Sequence, residues 1–210
     1  MLAYDPEKAI EHLRSRDEVL GSLISRVGAF QLHRRSFNTP FHALYSAIIS
    51  QQLSGKAARS IYDRTRALYP RGRVTAPVVL RSRPEQLRSA GLSRAKVAAV
   101  HDLASKYSQG AIPNAGRMKT MADEELIDSL VRVRGVGRWT VEMLLIFHLG
   151  RPDILPVGDL GVRKGFQIAY ARRALPTEKQ LMRYGERWRP YRSVASWYLW
   201  RATELDTPKV

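Results

Sequence analysis

Residues 126–166 read LIDSLVRVRGVGRWTVEMLLIFHLGRPDILPVGDLGVRKGF, and the fold turns on this stretch. Leu126, Ile127, Leu130 and Val131 recur on one helical face. Thr120 followed by Asp123 has the spacing of a capping box just ahead of them. Gly135-Val136-Gly137 stops this helix, because glycine accepts the backbone angles that a tight reversal needs. A second apolar helix follows at once, with Trp139, Met143 and Phe147 on one side. A glycine hairpin between two helices leaves main-chain N–H groups open at the start of the second helix, and such termini bind phosphate. Arg132, Arg134 and Arg138 flank it, so the expected phosphate belongs to a nucleic-acid backbone. A Gly-x-Gly between helices is most often only a corner. What sets this one apart is the distance to Asp159 and the residues around that aspartate.

Composition points the same way. At 210 residues the chain suffices for one good core, or for two lobes sharing one. An apolar content of 44% and a charged content of 26% are ordinary for a folded protein. A net charge of +16 and a pI near 10.6 are not. Arginine outnumbers lysine and suits bidentate contact with phosphate. The balance favours a polyanionic partner, DNA or RNA ahead of a membrane surface. With no cysteine, disulfides, thiol catalysis and a cysteine-ligated iron–sulfur cluster are excluded. His12, His33, His42, His101 and His148 are scattered and show no metal-ligand spacing. Without a long apolar run or a signal peptide, the protein is expected to act inside the cell.

Working outward, residues 5–27 read as a first helix, started by Asp5-Pro6 and stopped by Gly28. Arg34, Arg35 and Asn38 read as a connecting loop, and Pro40 opens a helix with Phe41, Leu44, Tyr45 and Ile48 on one core face. In IISQQLSGKAARSIYDRTRALY, residues 48–69, the polar centre from Gln51 to Gly55 interrupts two helical patterns. Residues 70–83 read as an exposed connection, Pro84 to Ala90 as a short helix, 94–108 as a helix capped by Ser93, and 109–119 as a loop. A helix is expected from Asp159 to about Leu175, and a last helical region over 177–204 that holds Trp188, Trp197 and Trp200. No repeat or low-complexity tract is present and nothing reads as a strand, so the fold class is all-α.

GVGRWT at 135–140, with PDILPVGDLGVRKG beginning thirteen residues after Trp139, resembles the helix-hairpin-helix family of DNA glycosylases. The match is nearest the alkylated-base branch, the DNA-3-methyladenine glycosylase II type. QQLS at 51–54, AGLSRAKVAAVHDLA at 90–104 and YLW at 198–200 extend it, so that it runs from residue 28 to residue 202. The resemblance implies a two-lobed helical fold with the active site in the cleft between lobes. Lobe one would hold residues 1–47 and 167–210, and lobe two residues 48–166 with the hairpin at 126–149. It implies that Asp159 is catalytic. Many members carry a second Asp just before that position, where this chain has Gly158; the matched catalytic position itself is intact.

By the same resemblance Leu53 is the apolar wedge that enters the minor groove and fills the gap left by the extruded base, with Gln52 and Ser54 beside it on the DNA. Arg134, Gly135, Val136, Gly137, Arg138 and Thr140 are implied hairpin contacts to DNA. Trp200 matches a tryptophan that borders the base pocket, which Trp139 and Met143, one turn apart, would line with it. The carbonyls of Val131, Val133 and Val136 are implied holders of a monovalent cation against the phosphate. No side-chain metal ligand and no other cofactor is expected, and the expected partner is double-stranded DNA containing damaged bases, bound by a monomer.

The chemistry follows. A base stacked in a duplex must be flipped out before it can be cut. Cleaving its N-glycosidic bond builds positive charge on the sugar, as in glycoside hydrolysis, and a nearby carboxylate stabilises that charge and can orient water. Asp159 also reads as a helix N-cap, and a helix N-terminus favours its ionised form. In bifunctional relatives a lysine stands at the position of Trp139 and forms a Schiff base with the sugar. Indole does not, so a water-using glycosylase without lyase activity is expected. The alternative is a helix-hairpin-helix module that binds DNA without catalysis, which has no need of Asp159 in its PVGDLGVRK context.

Overall fold

The computed structural model describes residues 2, 4–33, 37 and 39–205. Arg34, Arg35 and Asn38, read above as a loop, lie outside them. Among the described residues there are thirteen α-helices and no strand. They are α1 Pro6–Arg16, α2 Glu18–Val27, α3 Pro40–Ser50, α4 Gly55–Ala67, α5 Ala76–Arg81, α6 Pro84–Ser89 and α7 Arg94–Ser108, followed by α8 Ala115–Thr120, α9 Asp123–Leu130, α10 Arg138–Leu144, α11 Leu160–Ala169, α12 Glu178–Gly185 and α13 Arg192–Leu205. A π-helical turn, Leu145–Leu149, continues α10. The all-α expectation holds. No helix among the described residues is long and apolar enough to cross a membrane.

The chain divides into two units, Met1–Arg35 with Leu145–Val210, and Ser36–Leu144. The divisions expected from sequence, near residues 47 and 166, fall elsewhere for a packing reason. Helix α3 packs on α7 and α4 and so belongs with the hairpin, whereas α11 lies along α13 and belongs with the terminal helices. In the first unit Leu13, Leu20, Leu23, Ile24, Phe166, Leu181, Trp188, Val194 and Tyr198 form the buried core.

Several expected boundaries shift. The single helix over 5–27 is broken by Asp17, which is extended (φ −152°, ψ 103°) and 5% exposed. One carboxylate oxygen caps α2 at Leu20 N–H, and the other accepts from Tyr170 OH (2.7 Å) and Trp188 Nε1 (2.9 Å). A buried carboxylate is tolerable only when bonded in this way. The stretch 70–83 contains α5, which buries Ala76 and Val79, and 109–119 contains the start of α8, capped by Asn114 and burying Met118. The Thr120–Asp123 box does not form: Ala122 stands at the start of α9, and the Thr120 hydroxyl donates to Arg117 O. Helix α11 ends at Ala169, not near Leu175, and Ala171 has a positive φ of 47°.

Candidate active site and nucleic-acid interface

In the first unit the site begins with a turn. Asp159 N–H donates to Pro156 O, and Asp159 is the N-cap of α11. Its Oδ1 accepts two hydrogen bonds of 2.8 Å, from Val162 N–H and from the Trp200 indole N–H. The first is the cap expected from sequence. The second brings Trp200 of α13 onto the carboxylate, and the indole stacks in turn on Phe147, with centroids 5.6 Å apart and planes 28° apart. This arrangement requires α11 and α13 to lie close. A Cβ on Gly161 would come 2.9 Å from Trp200 Cδ1 and 3.0 Å from Asp159 Oδ1, and one on Gly165 would overlap the Leu199 carbonyl. Glycines four residues apart on one helix face are what admit the indole.

In the second unit α9 and α10 are joined by the hairpin. Gly135 has a φ of 75°, and a Cβ there would meet Ala99 of α7 at 3.2 Å. Gly137 is different: its φ is not positive, and nothing lies within 4 Å of an added Cβ. Both glycines are exposed, and among the described residues neither N–H finds an acceptor. The hairpin backbone is braced from below. Arg134 N–H donates to Asp102 Oδ2 at 2.7 Å, and Lys106 Nζ bonds both Asp102 oxygens. Burial pushes the Asp102 carboxyl up, but the Arg134 amide and the Lys106 ammonium outweigh it and hold the group below the usual range. Gln51 Nε2 donates to Gly135 O at 2.8 Å and to Thr140 Oγ1 at 3.2 Å.

The preceding turn presents Leu53, which is 37% exposed. Gln52 stands in a left-handed conformation, φ 56°, and the Ser54 hydroxyl caps α4 at Ala57 N–H. Trp139 is 46% exposed on α10, Met143 is half-buried, Val131 is exposed, and Val133 and Val136 are buried.

The sequence pattern of HhH-GPD superfamily base excision DNA repair proteins matches residues 45–190. The chain belongs to that superfamily. It is 35% identical over 200 residues to DNA-3-methyladenine glycosylase 1 of Schizosaccharomyces pombe, covering 94% of this chain and 88% of that protein. Its structure matches the S. pombe 3-methyladenine DNA glycosylase solved in complex with abasic DNA, with a TM-score of 0.85, 34% identity and coverage of 95% and 98%. It also matches the DNA-3-methyladenine glycosidase of Bacillus halodurans, with a TM-score of 0.84, 32% identity and coverage of 96% and 91%.

Two of the residues expected to contact DNA have partners within the protein: the half-exposed Arg138 and the buried Thr140. The Arg138 guanidinium pairs with both Glu124 oxygens (2.6 and 2.8 Å) and with the buried Glu142 (3.0 Å). Those carboxylates raise its pKa and direct it to the hairpin itself. Thr140 is 6% exposed, and its hydroxyl faces Gln51. Sequence reasoning missed Gln51, Asp102, Gly161 and Gly165. The Gly161–Gly165 spacing was a usable signal, since small residues at i and i+4 mark a close helix contact; Gln51 and Asp102 lie in the QQLS and AGLSRAKVAAVHDLA stretches, but nothing local shows the bonds they make.

The glycines of this HhH-GPD hairpin are expected to differ in kind. Gly135→Ala places a side chain at positive φ against Ala99, a strain of about 1–3 kcal/mol, so both the melting temperature and the affinity for intact and damaged duplex fall. Gly137→Ala meets no strain, so the melting temperature should hold, and if the hairpin takes the DNA backbone its methyl should lower affinity for both duplexes. Fluorescence anisotropy with thermal melting separates these outcomes, and a loss confined to damaged DNA would place the effect in the base pocket instead.

Proposed function

We propose that this chain is a monofunctional DNA glycosylase of base excision repair. It acts as a monomer on duplex DNA and hydrolyses the N-glycosidic bond of alkylated purines of the 3-methyladenine and 7-methylguanine type. The observation that carries this is Asp159. Its carboxylate stands at the N-terminus of α11, oriented by the Val162 N–H and the Trp200 indole. An ionised carboxylate stabilises the positive charge that develops on the sugar as the base leaves, and it orients the attacking water. A fixed charge held by two donors suits electrostatic stabilisation better than proton abstraction. The binding-only reading gives this carboxylate no role beyond capping α11 and seating the indole.

Trp200, bonded to Asp159, offers an aromatic face to the flipped base, and Trp139 with Met143 on α10 offers another apolar surface for it. Aromatic faces favour cationic, electron-poor bases such as N-alkylated purines. Trp139 stands where lyase chemistry needs an amine, so water is the nucleophile. The open N–H groups of Gly135 and Gly137 take the DNA backbone. The carbonyls of Val131, Val133 and Val136 would hold a monovalent cation beside it, supplying charge for the phosphate. Uncharged main-chain oxygens suit such an ion, and the Val133 carbonyl accepts only the Val136 N–H among the described main-chain bonds.

Incubation with methylated duplex, followed by chromatography of the released bases, tests the activity. Free 3-methyladenine or 7-methylguanine is expected, with no strand nicking and no borohydride-trapped adduct. A trapped covalent adduct would overturn the monofunctional assignment, and an absence of any released base would favour the binding-only reading.

Leu53 is the candidate wedge. Unstacking costs a few kcal/mol, and an inserted apolar side chain offsets part of it. Leu53→Ala should slow excision of paired lesions more than mispaired ones, with little change in melting temperature because the side chain is partly exposed. A stability loss of about 2–5 kcal/mol, as for a buried leucine, with equal slowing on every substrate would assign Leu53 to the core.

A further inference from the structure

The turn that carries Leu53 is bonded to the hairpin through Gln51, and through Lys96 to α7, the helix whose Asp102 braces the hairpin at Arg134. Gln51 spans the hairpin, donating to Gly135 O on one side and to the buried Thr140 hydroxyl on the other. Lys96, in the first turn of α7, donates its ammonium to Ile49 O at 2.7 Å and to Gln51 O at 2.9 Å. These carbonyls end α3, where a cation complements the helix dipole and makes charge-assisted bonds. Beyond Gln51 the chain enters the left-handed Gln52, a conformation a non-glycine side chain keeps only when its surroundings over-determine it. Leu53 N–H closes the turn on Ser50 O, and Ser54 fixes its far end as the cap of α4. The Gln51 and Lys96 bonds are all directed at the protein's own carbonyls and hydroxyl. Their shared effect is to register Leu53 to Gly135.

We propose that Gln51 and Lys96 are positioning residues for base extrusion, locking the Gln52–Leu53 turn to the Gly135 hairpin so that the hairpin's hold on the DNA backbone sets where Leu53 enters the stack. The inference rests on the glycosylase reading and on Leu53 as the wedge. With the lock intact the turn is already ordered when the base leaves; without it, that ordering is added to the cost of flipping. The bond-breaking step at Asp159 is untouched. A purely structural role predicts something else: a general loss of stability or affinity, indifferent to how firmly the lesion is paired.

Gln51→Leu removes both side-chain bonds, Lys96→Met removes both ammonium bonds, and Gln51→Met serves as a second form of the first should Gln51→Leu fail to fold. Single-turnover excision is read on duplexes carrying the same alkylated base paired and mispaired, alone and in a Leu53→Ala background. Wedge insertion is read separately, from the emission of 2-aminopurine next to a stable abasic-site analogue. The expected result is a loss of about tenfold on the paired lesion, the scale of a hydrogen bond or two, with little loss on the mispaired one and a diminished 2-aminopurine response. In the Leu53→Ala background the same changes should cost nothing further, because residues acting through one element are not additive. Lys96→Arg, which keeps a cationic donor, should recover most of the paired rate lost in Lys96→Met. Equal losses on both lesions, or effects that multiply with Leu53→Ala, would overturn the proposal. If the wild-type protein releases no alkylated base, the glycosylase reading fails, while the 2-aminopurine comparison still decides whether Gln51 and Lys96 set the turn.

Discussion

Asp159→Asn is expected to lose base release while DNA binding stays intact or tightens. The substitution is close to isosteric, and the amide oxygen still accepts from Val162 N–H and the Trp200 indole, so the cap of α11 and the seat of the indole survive. What disappears is the negative charge. A preorganised electrostatic partner contributes about 2.7–4 kcal/mol to transition-state stabilisation, a factor on the order of 10²–10³ in rate. Removing an anion from a surface that meets phosphates cannot weaken the ground-state complex by repulsion, hence the equal or higher affinity. Single-turnover excision and anisotropy on an abasic-analogue duplex measure the two halves of this expectation. An Asn variant that turns over at the wild-type rate would take Asp159 out of the mechanism.

Gly165→Ala is expected to be the most destabilising single methyl in the first unit. The added carbon would overlap the Leu199 carbonyl, and main chain does not step aside as a flexible side chain does. Helices α11 and α13 must then part. Overpacking a tight contact costs about 1–3 kcal/mol and more when the backbone has to move. For a chain of this length that corresponds to a fall in melting temperature on the order of 10 °C. Activity should fall further than the folded fraction, because the same displacement draws Trp200 from Asp159. Gly158→Ala is the internal control: Gly158 is exposed, with only the tip of Glu178 near, at 3.7 Å, so its melting temperature should not move. Equal melting temperatures for the two variants would show that the helices pack less closely than this.

The elements legible in the sequence are those whose hydrogen bonds close within a few residues. Asp159 as the cap of α11, Ser93 as the cap of α7, Pro40 opening α3 and the glycine hairpin all depend on neighbours three or four positions away, and each stands where the sequence puts it. The apolar faces of α3 and α9 are legible for the same reason, since periodicity is a local property. Helices α5 and α8 span six residues each, too few for a periodic signal, and appear only because Val79 and Met118 find a core to enter. The break at Asp17 is invisible locally: its carboxylate is satisfied by Trp188, 171 positions on. The same holds at the sites. Sequence placed Asp159 and Trp200 in one functional region, but the indole hydrogen bond spans 41 positions and depends on two glycines that let α11 and α13 meet. Gln51 reaches Gly135 across 84 positions, and Arg138 pairs with Glu124, 14 positions away, as well as with its helix neighbour Glu142. A buried or half-buried polar group takes whichever partner packing brings within bonding distance, and packing is a property of the whole unit.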